Sequence, residues 1–469
     1  MDTRVLIAGA GPTGLTLAIE LARRDVGVRI IDKAETFFVG SRGDGLQPRT
    51  LEVFEDLGVL DEVLAQGAAP VPIKIHLGGE VVGERMMFDP VEPTPDKPYP
   101  TGWFLGQSQT EGILRDRLAE FGVHVELATA LTGFEQSSDG VTATLSTGET
   151  VRAEYLVGAD GGKSFVRKAL GIAFEGTTDE SIRMLLGDVR ADGLDRSYGH
   201  WFATPDEPMS GMVFSPLPGT PHFQFGASLA EGETDVETAL PAVQARLDAL
   251  SGGTVRLSDL AWSTVWRPNV RLAARFRDGR VFLAGDSAHV HPPTGGQGLN
   301  TGVQDAYNLG WKLADGSPEL LDSYEAERRT VAARVLGVST GLMQKYVDGD
   351  EDAHHRGEET QQLDISYRGG PLSPSGAGAL RPGDRAPDSP LVSADGKRVR
   401  LFEVFRGPHA TRLVFGDGPS EGVRILPAGS VATGADLVDD GGFAYAAYDV
   451  KPGAEVLVRP DGYVWSVRA

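Results

Sequence analysis

The feature that most constrains this chain stands at its start, in residues 6–32, which read LIAGAGPTGLTLAIELARRDVGVRIID. The run has the pattern of an apolar strand, a glycine-rich turn, a helix and a second strand, which opens a parallel βαβ unit. Gly9 permits the tight turn, Gly11 lets the backbone approach a pyrophosphate, and Gly14 lets the helix pack on the strand. The helix N-terminus then offers amide donors to phosphates. The stretch therefore predicts a dinucleotide site in an α/β domain.

Asp32 closes the second strand, where an acidic side chain can accept hydrogen bonds from ribose hydroxyls. The turn residues Pro12 and Thr13 and the neighbouring Lys33 complete the predicted Rossmann-type site. The motif alone does not separate NAD from FAD. A glycine turn in an unrelated α/β protein is the competing interpretation.

Two further motifs narrow the choice of cofactor. Residues 155–171 read YLVGADGGKSFVRKALG, an apolar strand followed by Asp160 and an amphipathic helix that this aspartate could cap. Residues 280–314 read RVFLAGDSAHVHPPTGGQGLNTGVQDAYNLGWKLA, in which Asp286 ends a buried strand and could hold polyol hydroxyls. The glycine loop then enters a helix whose N-terminus can stabilise negative charge, such as the charge at the N1/O2 edge of a reduced flavin. The third motif therefore favours a flavin over a nicotinamide.

Composition excludes several classes of function. The net charge of −22 argues against a nucleic-acid or anionic-membrane partner, because both require basic patches. The absence of cysteine excludes a disulfide, a thiolate nucleophile and a Cys-ligated metal. The uncharged run from Val5 to Ile19 is interrupted by glycines and a proline and is ended by Glu20, so we expect a soluble, cytoplasmic protein.

In this order, the three motifs together resemble those of the class A flavoprotein aromatic hydroxylases, the group of para-hydroxybenzoate hydroxylase. Residues 41–60, SRGDGLQPRTLEVFEDLGVL, are similar to the corresponding stretch of bacterial polyketide hydroxylases and rifampicin-type monooxygenases. The likeness extends over residues 1–345. It implies an α/β fold with a Rossmann-type FAD-binding domain, a β-sheet substrate domain and a small thioredoxin-like C-terminal domain.

Domain limits follow from this resemblance and from composition. We expect a discontinuous FAD-binding domain (1–75, 99–175 and 263–345), a substrate domain (76–98 and 176–262), a linker (346–385) and a C-terminal domain (386–469). The stretch VLVRPDGYVW in the tail resembles the thioredoxin-like domain of the polyketide-hydroxylase branch. Without a Cys-x-x-Cys motif this domain has no redox role, which leaves packing or a dimer contact.

The resemblance also assigns cofactor contacts. Asp32 would bind the adenosine ribose, Arg42 would lie beside the flavin, and Gln107 would meet the ribityl-pyrophosphate part. Asp286 would hold the ribityl chain, and a backbone contact from Leu131 would reach the adenine side. The remaining predicted cofactor residues are Gly9, Gly11, Pro12, Thr13, Gly14, Lys33, Asp160, Pro293, Gly296, Gly298, Leu299 and Asn300.

The implied activity is hydroxylation of a bulky aromatic compound, a polyketide or antibiotic-like phenol, with FAD, NAD(P)H and O2. NADPH is the favoured reductant, and oxygen transfer would come from a flavin C4a-hydroperoxide. We nominate no side chain as catalytic acid or base. Apolar and aromatic residues of the substrate domain and its neighbouring loop are candidates for substrate contact, with core packing as the alternative: Trp103, Trp201, Phe202, Phe214, Phe223 and Phe225.

Other functions stay open at this point. Baeyer–Villiger insertion or antibiotic inactivation is possible on the same fold, and an FAD-dependent dehydrogenase or a binding protein without redox work would belong to another class. Trp262 and Trp266 do not form the W-x-W-x-I-P run of flavin halogenases. The pairs His289/His291 and His354/His355 could suggest a metal, but we favour no metal site. We expect a monomer or homodimer.

Overall fold

The computed structural model describes residues 1–179, 182–230, 232–233, 235–292, 295–348, 350, 355–417 and 421–468. The first part of the chain opens with the strand–helix–strand unit that its first motif predicts. Its elements are β1 (Thr3–Ala8), α1 (Pro12–Ala22), β2 (Val28–Ile31), β3 (Gly45–Leu46), α2 (Pro48–Leu57), α3 (Leu60–Gln66), β4 (Ile73–Leu77), β5 (Glu80–Arg85), β6 (Trp103–Phe104), α4 (Gln107–Glu120), β7 (Val125–Glu126), β8 (Leu131–Ser137), β9 (Gly140–Leu145) and β10 (Thr150–Gly158).

The middle of the chain is rich in strands and ends in two long helices. Its elements are α5 (Phe165–Ala169), β11 (Phe174–Thr178), β12 (Met184–Asp192), β13 (Gly199–Ala203), β14 (Gly211–Pro216), β15 (Phe223–Ser228), α6 (Leu240–Ser251), β16 (Arg256–Trp266), β17 (Asn269–Ala273), β18 (Arg277–Asp278), β19 (Val281–Leu283), β20 (His289–Val290), α7 (Gly298–Asp315) and α8 (Pro318–Val347).

The tail forms a sheet of its own with two short helices. Its elements are β21 (Pro390–Ser393), β22 (Arg398–Arg400), α9 (Leu401–Phe405), β23 (Thr411–Phe415), β24 (Val423–Pro427), β25 (Leu437–Asp439), α10 (Phe443–Ala447), β26 (Glu455–Val458) and β27 (Val464–Arg468).

The first sheet brings the three glycine motifs together. Its order is β18-β19-β10-β1-β2-β7, with the β8–β9 hairpin attached to β10. Strands β19, β10, β1 and β2 are parallel, and Ala8 pairs with Gly158, which pairs with Leu283. Because the carboxyl ends of parallel strands lie at one edge of a sheet, the loops after these three residues leave the same edge. The fold thus confirms the predicted α/β class.

The second sheet is antiparallel except at one pair. Its order is β16-β12-β15-β14-β13-β4-β5, in which β13 and β4 run parallel. This pairing draws residues 73–85 from the first part of the chain into a sheet otherwise made of residues 184–266. One face packs against α6, where Val243 and Leu247 are fully buried. The other face looks toward the first sheet's loops, as the contact of Ser41 with Asp188 shows.

The tail sheet has the order β22-β21-β25-β24-β23-β26-β27, with parallel pairing among β23, β24 and β25. It has a separate apolar core that includes Leu413, Ile425 and Val456. The assignment of this sheet as thioredoxin-like stays a prediction. So do the domain limits drawn from the sequence.

Buried charges join the tail to the first domain. The Arg459 guanidinium, in the turn between β26 and β27, contacts Glu327 Oε1 at 2.7 Å and Asp461 Oδ2 at 2.6 Å. Lys312 of α7 also donates to Glu327, at 2.7 Å. The predicted linker also contacts the first domain, because Gln297 Nε2 donates to Thr360 O at 3.0 Å and Arg328 Nη1 donates to the Tyr367 hydroxyl at 2.9 Å. Among the described helices, none is long and apolar enough to cross a membrane.

Candidate active site

The first loop of the shared edge has the geometry of a phosphate cradle. Gly9 has a φ of +107°, and a β-carbon on Gly14 would collide with the Gly9 carbonyl oxygen, so both positions require glycine. A β-carbon on Gly11 would meet nothing within 4 Å. Pro12 is the first residue of α1, and no side chain caps this helix. Its first N–H groups therefore have no side-chain cap, which leaves them available to an anion.

Asp32 is fixed at the end of β2. Its Oδ2 accepts from the Ala10 N–H at 2.8 Å and its Oδ1 from the Ala34 N–H at 2.9 Å. A carboxylate has lone pairs left after two such bonds, so ribose hydroxyls can still donate to it. The Asp32 carbonyl accepts from the Thr129 N–H at 2.8 Å, which places the chain leading to Leu131 beside this carboxylate. Lys33 is exposed next to it.

Thr13 joins the first motif to the third. A β-carbon on either Gly285 or Gly302 would collide with the Thr13 hydroxyl, so α1 and α7 approach closely only because both positions are glycine. Asp286 lies in the same turn as Gly285. Asp286 is exposed, yet the surrounding protein raises its pKa by burial, an effect that His289 and Arg42 oppose. Such an open but desolvated carboxylate is suited to accept from ligand hydroxyls.

Asn300 locks the two loops that frame the cleft. Its Oδ1 accepts from the Gln47 N–H at 2.8 Å, and its Nδ2 donates to Gly45 O at 2.8 Å and to Gly296 O at 2.6 Å. The side chain is fully buried, so it contacts protein rather than ligand. The backbone N–H groups of Gly298, Leu299 and Asn300 lie in the first turn of α7, where they lack helical acceptors. Any contact of Asn300 with a flavin would come from its backbone.

Gln107 and Arg42 both lie near Glu111. Gln107 Nε2 donates to Glu111 Oε1 at 2.7 Å. Burial raises the pKa of Glu111, while charges including Arg42 lower it. The exposed Arg42 guanidinium stands 4.4 Å from the centre of the Phe38 ring. Because Arg42 acts on Asp286 and on Glu111, the partner of Gln107, the structure brings the predicted residues Arg42, Gln107 and Asp286 to one site.

The structure gives no cofactor contact for two of the predicted residues, Asp160 and Pro293. Asp160 Oδ2 accepts from the Phe165 and Val166 N–H groups at 2.7 and 3.2 Å, so it caps α5. Its Oδ1 is buried without a hydrogen-bond partner among the described residues. Capping thus accounts for Asp160 without a cofactor contact. Pro293 lies outside the described residues.

The structure corrects most of the predicted substrate contacts. Four phenylalanines are at most 2% exposed and pack in one core with α6, on the face of the second sheet turned away from the cleft: Phe202, Phe214, Phe223 and Phe225. Trp103 packs against α3, where its Nε1 donates to Val63 O at 3.2 Å. Trp201 alternates with Phe202 and is half-buried on the cleft face, so it alone of the six stays a candidate.

The cleft face instead lines a cavity of about 110 Å³. It lies between the second sheet and the β3–β6 pair. Apart from Arg196 and Ser215 its walls are apolar, and they include Ala68, Val71, Ile73, Met87, Phe104 and Pro216. Side chains of alternate residues point to opposite faces of a strand, but the sequence does not tell which face a helix covers. The sequence pattern therefore predicts substrate contacts for aromatic residues that the structure places on the face covered by α6.

A pair of carboxylates was missed by the sequence analysis. Burial and the neighbouring Asp188 raise the pKa of Asp44 to about 6. Asp188 is itself held by Ser41, whose N–H and hydroxyl donate to it at 2.6 Å, and burial raises its pKa as well. Asp44 precedes β3, the strand that pairs with Phe104 of the cavity wall. The stretch SRGDGLQPRT contains Asp44 and was the one local signal for this residue. Its partner Asp188 stands 144 residues later in the sequence, so no local pattern indicates the pair.

The histidine pair is engaged within the protein. His289 Nε2 lies 2.6 Å from Asp305 Oδ2, and its Nδ1 lies 2.9 Å from His291 Nε2. Asp305 has its pKa lowered to about 2, because His289 and Arg328 outweigh the effect of burial. In the part of the chain that the structure describes, no group of three or more His, Asp or Glu side chains is arranged for a metal ion. His354 lies outside the described residues.

These observations fit FAD. The open space at Gly11 and the uncapped start of α1 suit a pyrophosphate, and Asp32 suits a ribose. Asp286 at the cleft suits the ribityl hydroxyls, and the first turn of α7 suits the electron-rich edge of the ring.

Comparison with known proteins agrees with this geometry. The family model described as FAD binding domain matches residues 2–339. The chain belongs to this family. A flavin-dependent monooxygenase of Mycobacteroides abscessus is 46% identical over 98% of the chain and 96% of that protein. The 6-methylpretetramide 4-monooxygenase of Streptomyces rimosus is 35% identical over 98% of the chain and 90% of that protein.

Solved structures of the family show the same architecture. The crystal structure of aklavinone-11 hydroxylase with FAD and aklavinone has a TM-score of 0.80 and 28% identity, covering 100% of this chain and 95% of that one. With the family match and the two relatives, this makes the chain a class A flavin-dependent monooxygenase of the aromatic and polyketide hydroxylase type. The predicted family and enzyme class are thus confirmed.

Proposed function

We propose that this flavin monooxygenase hydroxylates a bulky phenol, polyketide or antibiotic-like in structure, at the expense of NAD(P)H and O2. The observation that carries the proposal is the convergence of three glycine loops at one sheet edge, in a chain that also has an apolar cavity between the second sheet and the β3–β6 pair. The relatives named for 6-methylpretetramide and aklavinone support this substrate class.

The protein's part in the reaction is to bind, orient and exclude water. When bound, FAD accepts electrons from NAD(P)H and activates O2 for insertion into the substrate. Asp32 and the start of α1 would hold its ADP part, and Asp286 its ribityl chain. The first N–H groups of α7 would stabilise negative charge on the ring. The apolar cavity walls keep water from the substrate.

Asp44 supplies the proton acceptor that the sequence analysis left unnamed. With a pKa raised to about 6, its carboxylate is ionised at neutral pH and basic enough to accept a phenolic proton. Transfer of that proton to Asp44 leaves a phenolate, whose ring is more electron-rich toward an oxygen electrophile. Asp188, bonded to Ser41, lies beside Asp44 and contributes to the raised pKa of Asp44.

The test is NAD(P)H-dependent oxygen uptake by the purified holoprotein, with and without a panel of polycyclic phenols. We expect stimulated uptake and a product heavier by one oxygen, with product connectivity showing a new ring hydroxyl. An oxygen inserted beside a ketone would instead establish Baeyer–Villiger chemistry. Reduction of the flavin by substrate without NAD(P)H, under anaerobic conditions, would overturn the monooxygenase proposal in favour of a dehydrogenase.

The same proposal includes NADPH as the preferred reductant, a monomer or homodimer, and action in the cytoplasm. These parts rest on the sequence analysis. Initial rates with NADPH and NADH test the first, and light scattering of the holoprotein tests the second.

A further inference from the structure

The cavity has a charge at one end that the proposed reaction does not use. Arg196, in the turn between β12 and β13, lines the cavity and is also exposed to solvent. Its Nη1 donates to His222 O at 2.9 Å and its Nη2 to Leu217 O at 2.8 Å. The guanidinium also lies 5.0 Å from the centre of the Phe223 ring. An exposed arginine is thereby held in one orientation before any ligand arrives.

This guanidinium has donors left over. Five N–H groups belong to an arginine, and the two carbonyls take two of them. Among the described residues, no carboxylate forms an ion pair with Arg196, whereas neighbouring Lys74 and Arg190 contact Asp195 and Asp192. In a chain of net charge −22, a cation fixed at an apolar cavity without an acid partner is a binding feature rather than a common surface pair.

The opposite end of the same face is acidic. Asp188, Gln224 and Ser215 pair across β12, β15 and β14, so they form one row on the cleft side of the sheet. Two strand spacings separate Asp188 from Ser215, which is about 10 Å. Asp44 and Asp188 stand at one end of this row, and Ser215 shares the cavity wall with Arg196 at the other. The cleft face thus has carboxylates at one end of this row and the Arg196 guanidinium beyond the other, where the apolar cavity walls surround Ser215.

We propose that Arg196 binds an anionic or strongly hydrogen-bond-accepting group of the substrate, such as a carboxylate or an enolate, at the end remote from the phenol that Asp44 deprotonates. The substrate class is therefore an elongated fused-ring phenol with an acidic group at its far end. The acid would be repelled by Asp44 and Asp188 and attracted by Arg196, which fixes the direction in which the substrate enters. This inference rests on the proposed function.

The experiment uses a matched pair of probes, 6-hydroxy-2-naphthoic acid and its methyl ester. Both have the same rings and the same hydroxyl, but only the acid has the remote charge. Binding is followed by the change in the visible spectrum of oxidised holoprotein, which requires neither NAD(P)H nor turnover. A charge-assisted hydrogen bond predicts about tenfold tighter binding of the acid than of the ester.

Three variants separate charge from packing. Arg196→Met should abolish the preference and leave the affinity for the ester unchanged, while Arg196→Lys should keep part of the preference. Arg190→Met is the matched control, because Arg190 belongs to the same sheet, is exposed and already pairs with Asp192; it should behave like the native protein.

Other results would overturn the inference. The first is equal affinity of the native protein for the acid and the ester. The second is an equal loss of affinity for both probes in Arg196→Met, which would show that Arg196 only supports the turn at His222. The proposed function fails separately, through an absence of NAD(P)H-dependent flavin reduction, and the binding of the two probes is measured without that step.

Discussion

The backbone N–H of Gln47 donates to Asn300 Oδ1 at 2.8 Å, so one amide side chain joins the two loops on either side of the cleft. Both loops begin helices, because α2 starts at Pro48 and α7 at Gly298. The width of the cleft is therefore set where the two helix N-termini meet, at a residue with no exposed surface.

Replacing Asn300 with aspartate tests this role. The carboxylate keeps the bond to Gln47 but cannot donate to Gly45 O and Gly296 O, and it places negative charge at the start of α7. Both acceptors are only partly buried, so each lost hydrogen bond costs about 0.5–1.5 kcal/mol. We expect FAD affinity to fall at least about tenfold, measured by flavin fluorescence. Asn269→Asp, at the exposed first position of β17, is the control and should bind FAD normally.

The raised pKa of Asp44 predicts how the rate of hydroxylation depends on pH. The carboxylate is the active form, so the rate of hydroxylation should rise with pH through about 6 and level off above it. Asp44→Asn should lower that rate by about 10²-fold or more, since general base catalysis typically contributes 10²–10⁴. Flavin reduction and FAD affinity should change little. An unaltered pH profile in this variant would remove Asp44 from the mechanism.

The same carboxyl has a predicted effect on stability. The pKa of Asp44 is raised from 3.8 to about 6 in the folded state, so ionisation is less favourable there than in the unfolded chain. The resulting cost develops between pH 3.8 and about 6 and is constant above that range. Asp44→Asn should therefore melt higher than the native protein at pH 8 and equally at pH 3.8, if both are measured by calorimetry.

Substitutions at two glycines of the first loop should affect FAD binding and protein stability differently. Alanine at Gly11 meets no protein atom but occupies the space that a pyrophosphate needs, so it should weaken FAD affinity about tenfold or more and leave the apoprotein's melting temperature unchanged. Alanine at Gly14 collides with the Gly9 carbonyl and should lower the melting temperature itself. Equal effects of the two substitutions on both properties would contradict this division.

The cofactor site was more predictable than the substrate site for a physical reason. Gly9, Gly11 and Asp32 act through backbone shape and the end of a parallel strand, both of which a local motif determines. Phe214 and Phe225 show the limit, because their apolar alternation marks a covered face without saying whether a helix or a ligand covers it. The Asp44–Asp188 pair and Arg196 depend on contacts between distant segments, which no local pattern records.

The buried contacts of Arg459 predict that the tail stabilises the first domain. It is fully buried between Glu327 and Asp461, and Asn308 of α7 donates to both of those carboxylates at 2.9 and 3.0 Å. Arg459→Met would leave two buried carboxylates with one guanidinium fewer, and breaking a buried pair from one side costs about 3–5 kcal/mol. Urea unfolding should show that loss, together with weaker FAD binding because α7 begins at the cofactor cleft.

The matched control is Arg424→Met, which removes a partly exposed pair with Asp436 within the tail sheet. A pair of that kind is worth about 0–1 kcal/mol, so this variant should unfold and bind FAD almost as the native protein does. If Arg459→Met proved as stable as Arg424→Met, the buried contacts would not couple the tail to α7. A stable Arg459→Met variant with weakened FAD binding would instead show that the turn positions α7 without contributing to overall stability.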